Sequence, residues 1–261
     1  MLFPVGIVTA DTLVTSINRN KHRHRSIRCA LNEISDRSAD IYYGDWSADM
    51  NEHILLSKRR LSHRLSPYAL DAAGAPLNRR NTTQAELAYF VPNSSHLNSL
   101  IETSSGNGLR TALSSVGSGL GIDGSLRERG CRTSLDRAGN ACLFPPAESL
   151  PDLLDSIAYQ LQVNYERGPF FRALWTFTAL LNAHALRDGN GRISRIAFNS
   201  LLWNGANNNY LPIYDLAMNS CYALEIGLRQ AYFTGDWIGL LEFFDESIAC
   251  YRRAMPSRRK C

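Results

Sequence analysis

Twelve consecutive residues gather an imidazole, a carboxylate, an amide between two glycines and three guanidinium groups: His184-Ala185-Leu186-Arg187-Asp188-Gly189-Asn190-Gly191-Arg192-Ile193-Ser194-Arg195. His184 titrates near neutrality and can take a proton from an attacking hydroxyl. Asp188 is a hard oxygen ligand, placed where a phosphate-bound Mg²⁺ would sit. Gly189 and Gly191 let a phosphate approach the backbone closely. Arg192 and Arg195 stand three apart on the helix that follows, so both can face one anion, and their planar forks suit phosphate oxygens. A base, a metal ligand, an anion cradle and two arginines at this spacing are the parts of a phosphoryl-type transfer site. A purely structural His–Asp–Arg helix cap would need neither the asparagine nor the second arginine.

The elements around this segment fit that chemistry. Phe170 to Ala183 is apolar on nearly every position, which predicts a buried central helix that delivers His184 at its C-terminal end. The Gly-Asn-Gly turn opens a second helix, whose first N–H groups have no intrahelical partner and point outward as an anion site. Further helices are predicted after Pro151 (Leu153, Leu154, Ile157, Leu161), over Ile193–Trp203, over Asp215–Tyr232 and over Gly239–Tyr251. Cys131–Leu135 and Ala141–Phe144 read as two short strands around the turn Asp136–Asn140, stopped by Pro145-Pro146. Residues 1–50 show no strong period, and 52–70 carry Ile54, Leu55, Leu61 and Leu65 at roughly helical spacing. Ala73–Pro76 reads as a connector. Thr82–Glu86 has the shape of a helix start, Pro92–Ser95 is expected to break that helix, and the Gly- and Ser-dense 103–125 is expected to be loop with one short helix. No internal repeat is present.

Composition bounds the rest. The chain has 261 residues, 44% apolar and 20% charged, enough to bury a core and too apolar for bulk disorder. The net charge is +4 and the pI about 8.8. The excess is concentrated at Arg19, Lys21, Arg23, Arg25 and Arg28 and again at Arg252, Arg253, Arg258, Arg259 and Lys260, without the interleaved aromatics of a single-strand nucleic-acid surface. The six cysteines have neither CxxC nor zinc-ligand spacing and read as reduced thiols of a cytoplasmic protein. Met1–Ala10 lacks a basic start and is interrupted by Pro4, unlike a signal peptide, and no apolar run reaches the length of a membrane span. Gly119-Leu120-Gly121-Ile122-Asp123-Gly124 fits GxGxxG, but with no strand before it reads as a flexible loop. Trp175 and Phe177 read as core.

The segment 184–195 resembles the signature of the Fic family, H-x-F-x-[D/E]-G-N-[G/K]-R-x-x-R, at seven of its eight specified positions. Leu186 replaces the phenylalanine that anchors the family's loop in the core. The strand pair Cys131–Phe144 is similar to the family's flap, which docks the target peptide, and Phe233–Phe244 is similar to its closing helices. The resemblance implies an all-α fold with a small β-hairpin flap. It places a catalytic core at residues 105–252, after an N-terminal extension over 1–104 that is expected to be partly helical or disordered, and before a basic tail over 253–261. It implies a protein adenylyltransferase, with ATP as co-substrate and Mg²⁺, acting on a Tyr, Thr or Ser hydroxyl of a target protein docked on 131–144. His184 would be the base and Asp188 the Mg²⁺ ligand. Gly189, Asn190, Gly191, Arg192 and Arg195 would hold the phosphates. Glycine at 191 favours AMP transfer, since the family's phosphate-transferring branch has lysine there.

Family members are often silenced by a helix bearing (S/T)-x-x-x-E-(G/N), whose glutamate pairs with the second arginine. Thr82 to Glu86 has the spacing, but Leu87 follows; Glu102 lacks a Ser or Thr four residues earlier. Both read as surface acids, and the expectation is a chain that lacks a built-in brake or takes one from a partner chain. The motif leaves open a different donor, giving UMP, phosphocholine or phosphate transfer. A non-catalytic adaptor that binds nucleic acid or protein through its basic ends is the rival from another class, against which the complete motif argues. A cytoplasmic toxin and an effector delivered into a host cell fit the sequence equally, and a membrane partner is not expected.

Overall fold

A helix that is apolar on every side needs neighbours on every side, and Pro169–Ala183 has them: from Phe170 to Ala183 every residue except Leu181 is buried. The computed structural model describes residues 2–4, 8–37, 80–103, 105–133, 141–204, 209–219 and 223–254. In chain order the elements are β1 (Leu2–Pro4), α1 (Ala10–Arg19), α2 (Lys21–Arg37), α3 (Arg80–Thr103), α4 (Gly106–Gly119), β2 (Ala141–Leu143), α5 (Leu150–Val163), α6 (Pro169–Ala183), α7 (Asn190–Leu202), α8 (Ile213–Asn219), α9 (Ala223–Thr234) and α10 (Ile238–Ala254). The fold is mostly helical, as expected. The predicted helices over 52–70 and the connector at 73–76 lie outside the described residues, as does the hairpin turn.

The chain divides into two compact units, residues 1–10 with 79–206, and residues 11–78 with 207–261. In the first, α6 packs along α7, α3 lies on α7, and α4 and α5 complete the bundle. Phe177 of α6 meets Phe198 of α7 edge to face at 5.8 Å, a favoured aromatic geometry. β1 and β2 pair in parallel, with Phe3 opposite Cys142. On the other side Arg132 bridges antiparallel to Leu143, so the predicted strand pair forms, each arm shorter than the sequence suggests. In the second unit α2 and α9 pack on α10. Buried Trp237 donates its indole N–H to Thr12 Oγ1 at 3.0 Å, and Arg23 pairs with Glu242 at 2.8 Å.

Several local expectations are overturned, each by packing. The first fifty residues hold two helices. Ile27, Ala30, Leu31 and Ile34 are buried at helical spacing, a stripe that the long basic side chains between them conceal; Lys21, Arg25 and Arg28 stay exposed. Pro92 does not break its helix: α3 runs through it. Its missing N–H would have bonded Ala88, which is exposed, and Asn93 Nδ2 donates to the next carbonyl, Tyr89 O, at 2.7 Å. Phe90, Leu97 and Ile101 are buried on both sides of the proline, and that burial outweighs the local cost. Residues 103–125 are mainly helix, not loop. α4 starts on a Ser105 cap and buries Leu109, Leu113 and Val116. Gly117 is needed there for closeness, since a Cβ would stand 2.7 Å from the Gly124 backbone. The expected helix over 215–232 is two, α8 and α9. Among the described cysteines, Cys29, Cys131, Cys142 and Cys250 are free thiols, and among the described residues no helix is long and apolar enough to cross a membrane.

One buried ion pair ties the C-terminal half of α3 to α6. Arg172 bonds Glu102, which also accepts from Asn98 at 3.0 Å, while the guanidinium lies 4.6 Å from the Tyr165 ring and donates to Asn204 at 3.1 Å. Arg172→Ala leaves this glutamate unpaired in a mostly buried place. Because Glu102 keeps some water contact, the loss expected in urea unfolding is about 3 kcal/mol, the low end for breaking such a pair.

Candidate active site

The site is built at the junction of α6 and α7. His184 ends α6 in the left-handed conformation, φ 43° and ψ 48°, with its N–H still bonded to Leu180 O at 3.1 Å. A non-glycine residue there carries a local cost, and it turns the chain sharply out of the helix. The half-buried imidazole stacks on Phe144, ring centres 4.2 Å apart and planes 15° apart. Burial, and next the nearby positive charge of Arg127, push the histidine below its ordinary value of 6.5; a hydrogen bond to the Leu181 backbone opposes them. The imidazole is therefore neutral at pH 7, the form that can accept a proton.

The loop after His184 is organised as a short strand. Leu186 bridges Leu126, Arg127 N–H donates to Ala185 O at 2.9 Å, and Arg187 N–H donates to Ser125 O at 3.0 Å. On its other side Asn190 acts as a second strand: its Oδ1 accepts from Leu186 N–H at 2.9 Å and its Nδ2 donates to Leu186 O at 2.8 Å. Leu186 is 3% exposed, so leucine anchors this loop where the family signature has phenylalanine. Gly189 sits at φ 76°, and a Cβ there would meet Ile122 Cδ1 at 2.0 Å. The GxGxxG stretch, expected as a flexible loop, thus presses Ile122 against the motif. α7 follows, and Ile193 N–H bonds Gly189 O at 2.9 Å, leaving the N–H groups of the first turn before it without carbonyl partners inside the helix.

Asp188 accepts from Gly189 N–H at 2.6 Å and from Arg192 Nη2 at 2.9 Å, with its side chain 62% exposed. Arg195, one turn along, is turned inward and bonded through Nε to both carboxylate oxygens of Glu86 at 3.2 Å, and through Nη2 to the same carboxylate. Glu86 lies on α3 and is fully buried. The structure thus brings His184, Asp188, Gly189, Asn190, Gly191, Arg192 and Arg195 onto one junction, and it contradicts the reading of Glu86 as a surface acid. Glu102, the other acid weighed in the sequence, lies on Arg172 and not here. Thr82-to-Glu86 spacing was the available signal for Glu86, and Leu87 obscured it. Phe144 and Arg127 had no local signal; both reach His184 through tertiary contacts.

Solved structures share this fold. Residues 110–202 match the model of the Fic/DOC family. No curated protein matches the chain. Among solved structures, two of Fic-1 from C. elegans superpose with TM-scores of 0.52 and 0.51 at 17% and 16% identity; they cover 92% and 93% of this chain and 72% and 74% of those chains. A Fic family protein from Desulfovibrio desulfuricans gives a TM-score of 0.48 at 18% identity, over 80% of this chain and 73% of that one.

The Asn190 amide carries the loop, so its loss should be felt in stability. Asn190→Ala leaves Leu186 N–H and O without partners in a buried place. Unsatisfied groups cost about 1–3 kcal/mol each, and a loss of roughly 3 kcal/mol in urea unfolding is expected. A loss under about 0.5 kcal/mol would show that water replaces the amide.

Proposed function

We propose that the chain is a protein adenylyltransferase that moves AMP from ATP onto a Tyr, Thr or Ser hydroxyl of a target protein. The observation that carries this reading is the neutral His184, stacked on the flap residue Phe144, directly before a helix start that carries Asp188, Arg192 and Arg195. In the reaction the target hydroxyl oxygen bonds to the α-phosphorus of ATP, the bond to the β-phosphate oxygen breaks, and pyrophosphate leaves. His184 accepts the hydroxyl proton. The first N–H groups of α7 and the glycine backbone hold phosphate oxygens. Arg192 and Arg195 balance charge on the outer phosphates as pyrophosphate departs.

Magnesium fits the residues present. Among the described residues no three His, Cys, Asp or Glu side chains gather as a protein-built metal site, but Mg²⁺ characteristically takes one or two carboxylates and fills the remaining positions with phosphate and water. Asp188, exposed at the mouth of the cradle, would be that carboxylate. Bound there, Mg²⁺ supplies charge neutralisation on the phosphates. Gly191 supports AMP over phosphate transfer, because the family's phosphate-transferring branch carries lysine at that position. The flap arms 131–133 and 141–144 would dock the target backbone.

Glu86 enters this reading as a brake. Arg195 cannot hold a phosphate while both its Nε and Nη2 are on Glu86, so the described arrangement is the resting one. This reading differs from the expectation of a chain that lacks a built-in brake or takes one from a partner chain.

Three measurements test the reading. Label from α-³²P-ATP with Mg²⁺ should pass to protein in cell lysate with the wild type and vanish with His184→Ala. The rate should fall as pH drops through a histidine value below 6.5 and stay flat around pH 7, because acid protonates the base; a limb well above 7 would count against His184. Glu86→Ala, which keeps a good helix former in α3, should raise transfer at least about tenfold, as expected when a competing ion pair of about 1.4 kcal/mol or more is removed. An unchanged rate would remove Glu86 from the regulation.

A further inference from the structure

Arg127 lies in the segment that straps the motif loop, and it is 7% exposed. Its guanidinium donates four hydrogen bonds, all to carbonyls: Nε donates to His184 O at 2.7 Å, Nη1 to Arg129 O at 2.9 Å, and Nη2 to Ala183 O at 3.3 Å and to Pro145 O. Buried arginines ordinarily meet a carboxylate; none of these bonds reaches one. Two of the four carbonyls are the last of α6, which have no N–H one turn on to bond them. The third belongs to Pro145, one residue after the Phe144 ring that stacks on the imidazole. One planar fork therefore fixes the His184 backbone, the exit of the flap and the strap in a single arrangement.

We propose that Arg127 is the positioning residue of this site, locking His184 in its left-handed turn and tying that turn to the flap that presents the target. This rests on His184 being the base. A rigid donor fork is needed because the carbonyls lie on separate segments; a lysine ammonium carries the charge without the planar geometry. Arg127 is also the charged group that acts on the imidazole. Among the described residues no carboxylate contributes to its titration, and the groups around it are the Phe144 ring and the Leu181 backbone. Cys131 and Glu148 face Arg127 itself and act on its charge. Arg127 so performs two separable tasks: its fork holds geometry, and its charge helps keep the base neutral.

The two tasks separate in two variants of the full chain, Arg127→Met and Arg127→Lys. Each is read by NMR titration of the His184 imidazole, assigned with His184→Ala, and by the pH profile of AMP transfer. Arg127→Met should move the imidazole midpoint and the acid limb of the rate to higher pH, and cut kcat/KM at pH 7.5 about 100-fold, the scale of an ångström-level misplacement of a catalytic group. Arg127→Lys should leave the midpoint near that of wild type while the rate still falls at least about tenfold. A folded Arg127→Met with midpoint and rate both within twofold of wild type would overturn the proposal. So would a folded Arg127→Lys with full activity, or loss of the fold in both variants, which would assign Arg127 to stability alone. If wild type transfers no nucleotide from any donor, the functional reading fails, and the imidazole titration still decides whether Arg127 governs His184.

Discussion

The constraint on which the candidate site depends is that the loop between two helices must be held rigid although it leaves the helical backbone ladder. The chain solves this by treating residues 185–187 as the middle strand of a miniature sheet. One neighbour is the backbone of 125–127; the other is the side-chain amide of Asn190. An asparagine presents the same donor and acceptor pair as a peptide group, so it can complete a ladder and still belong to the helix that follows. Leu186 is driven inward beneath this ladder. With the loop's own backbone satisfied, the first N–H groups of α7, which have no carbonyl partner inside the helix, are what remains.

This arrangement also explains why the left-handed turn at His184 persists. A histidine at positive φ is held by what surrounds it: α6 is buried almost completely before it, Phe144 lies on its ring, and Arg127 bonds its carbonyl. The local cost, of the order of 1–2 kcal/mol, is small beside the packing that would be lost if the turn relaxed. The same packing desolvates the imidazole, so position and protonation state have a common origin.

The Glu86–Arg195 pair shows how a helix outside the motif enters the site. Glu86 is buried on α3, and α3 is fastened to the same bundle further along through Glu102 and Arg172. A buried carboxylate needs a partner, and Arg195 is that partner here. Under the proposed function the second arginine would have two competing uses, one within the protein and one toward an outer phosphate.

Much of the chemistry was legible in sequence because its parts are contiguous. His184, Asp188, the Gly-Asn-Gly turn, Arg192 and Arg195 lie on one helix–turn–helix, and helical spacing alone places them together. The all-apolar run of α6 likewise announced a central helix, and Pro145-Pro146 marked the end of the flap. What the sequence did not disclose are contacts between segments far apart in the chain. Glu86 stands 109 residues from Arg195 and Arg127 57 from His184, and nothing in the period of either segment signals the pairing. The helices over 10–37, 80–103 and 106–119 were obscured for a related reason: basic residues, a proline and glycines carry strong local signals, whereas the burial that overrides them is shared among distant elements. Sequence by itself determined which chemical groups the site contains, because local geometry fixes neighbours along a helix. Tertiary structure decided how those groups are held, neutralised and restrained, because burial and ion pairing depend on what the rest of the chain brings up against them.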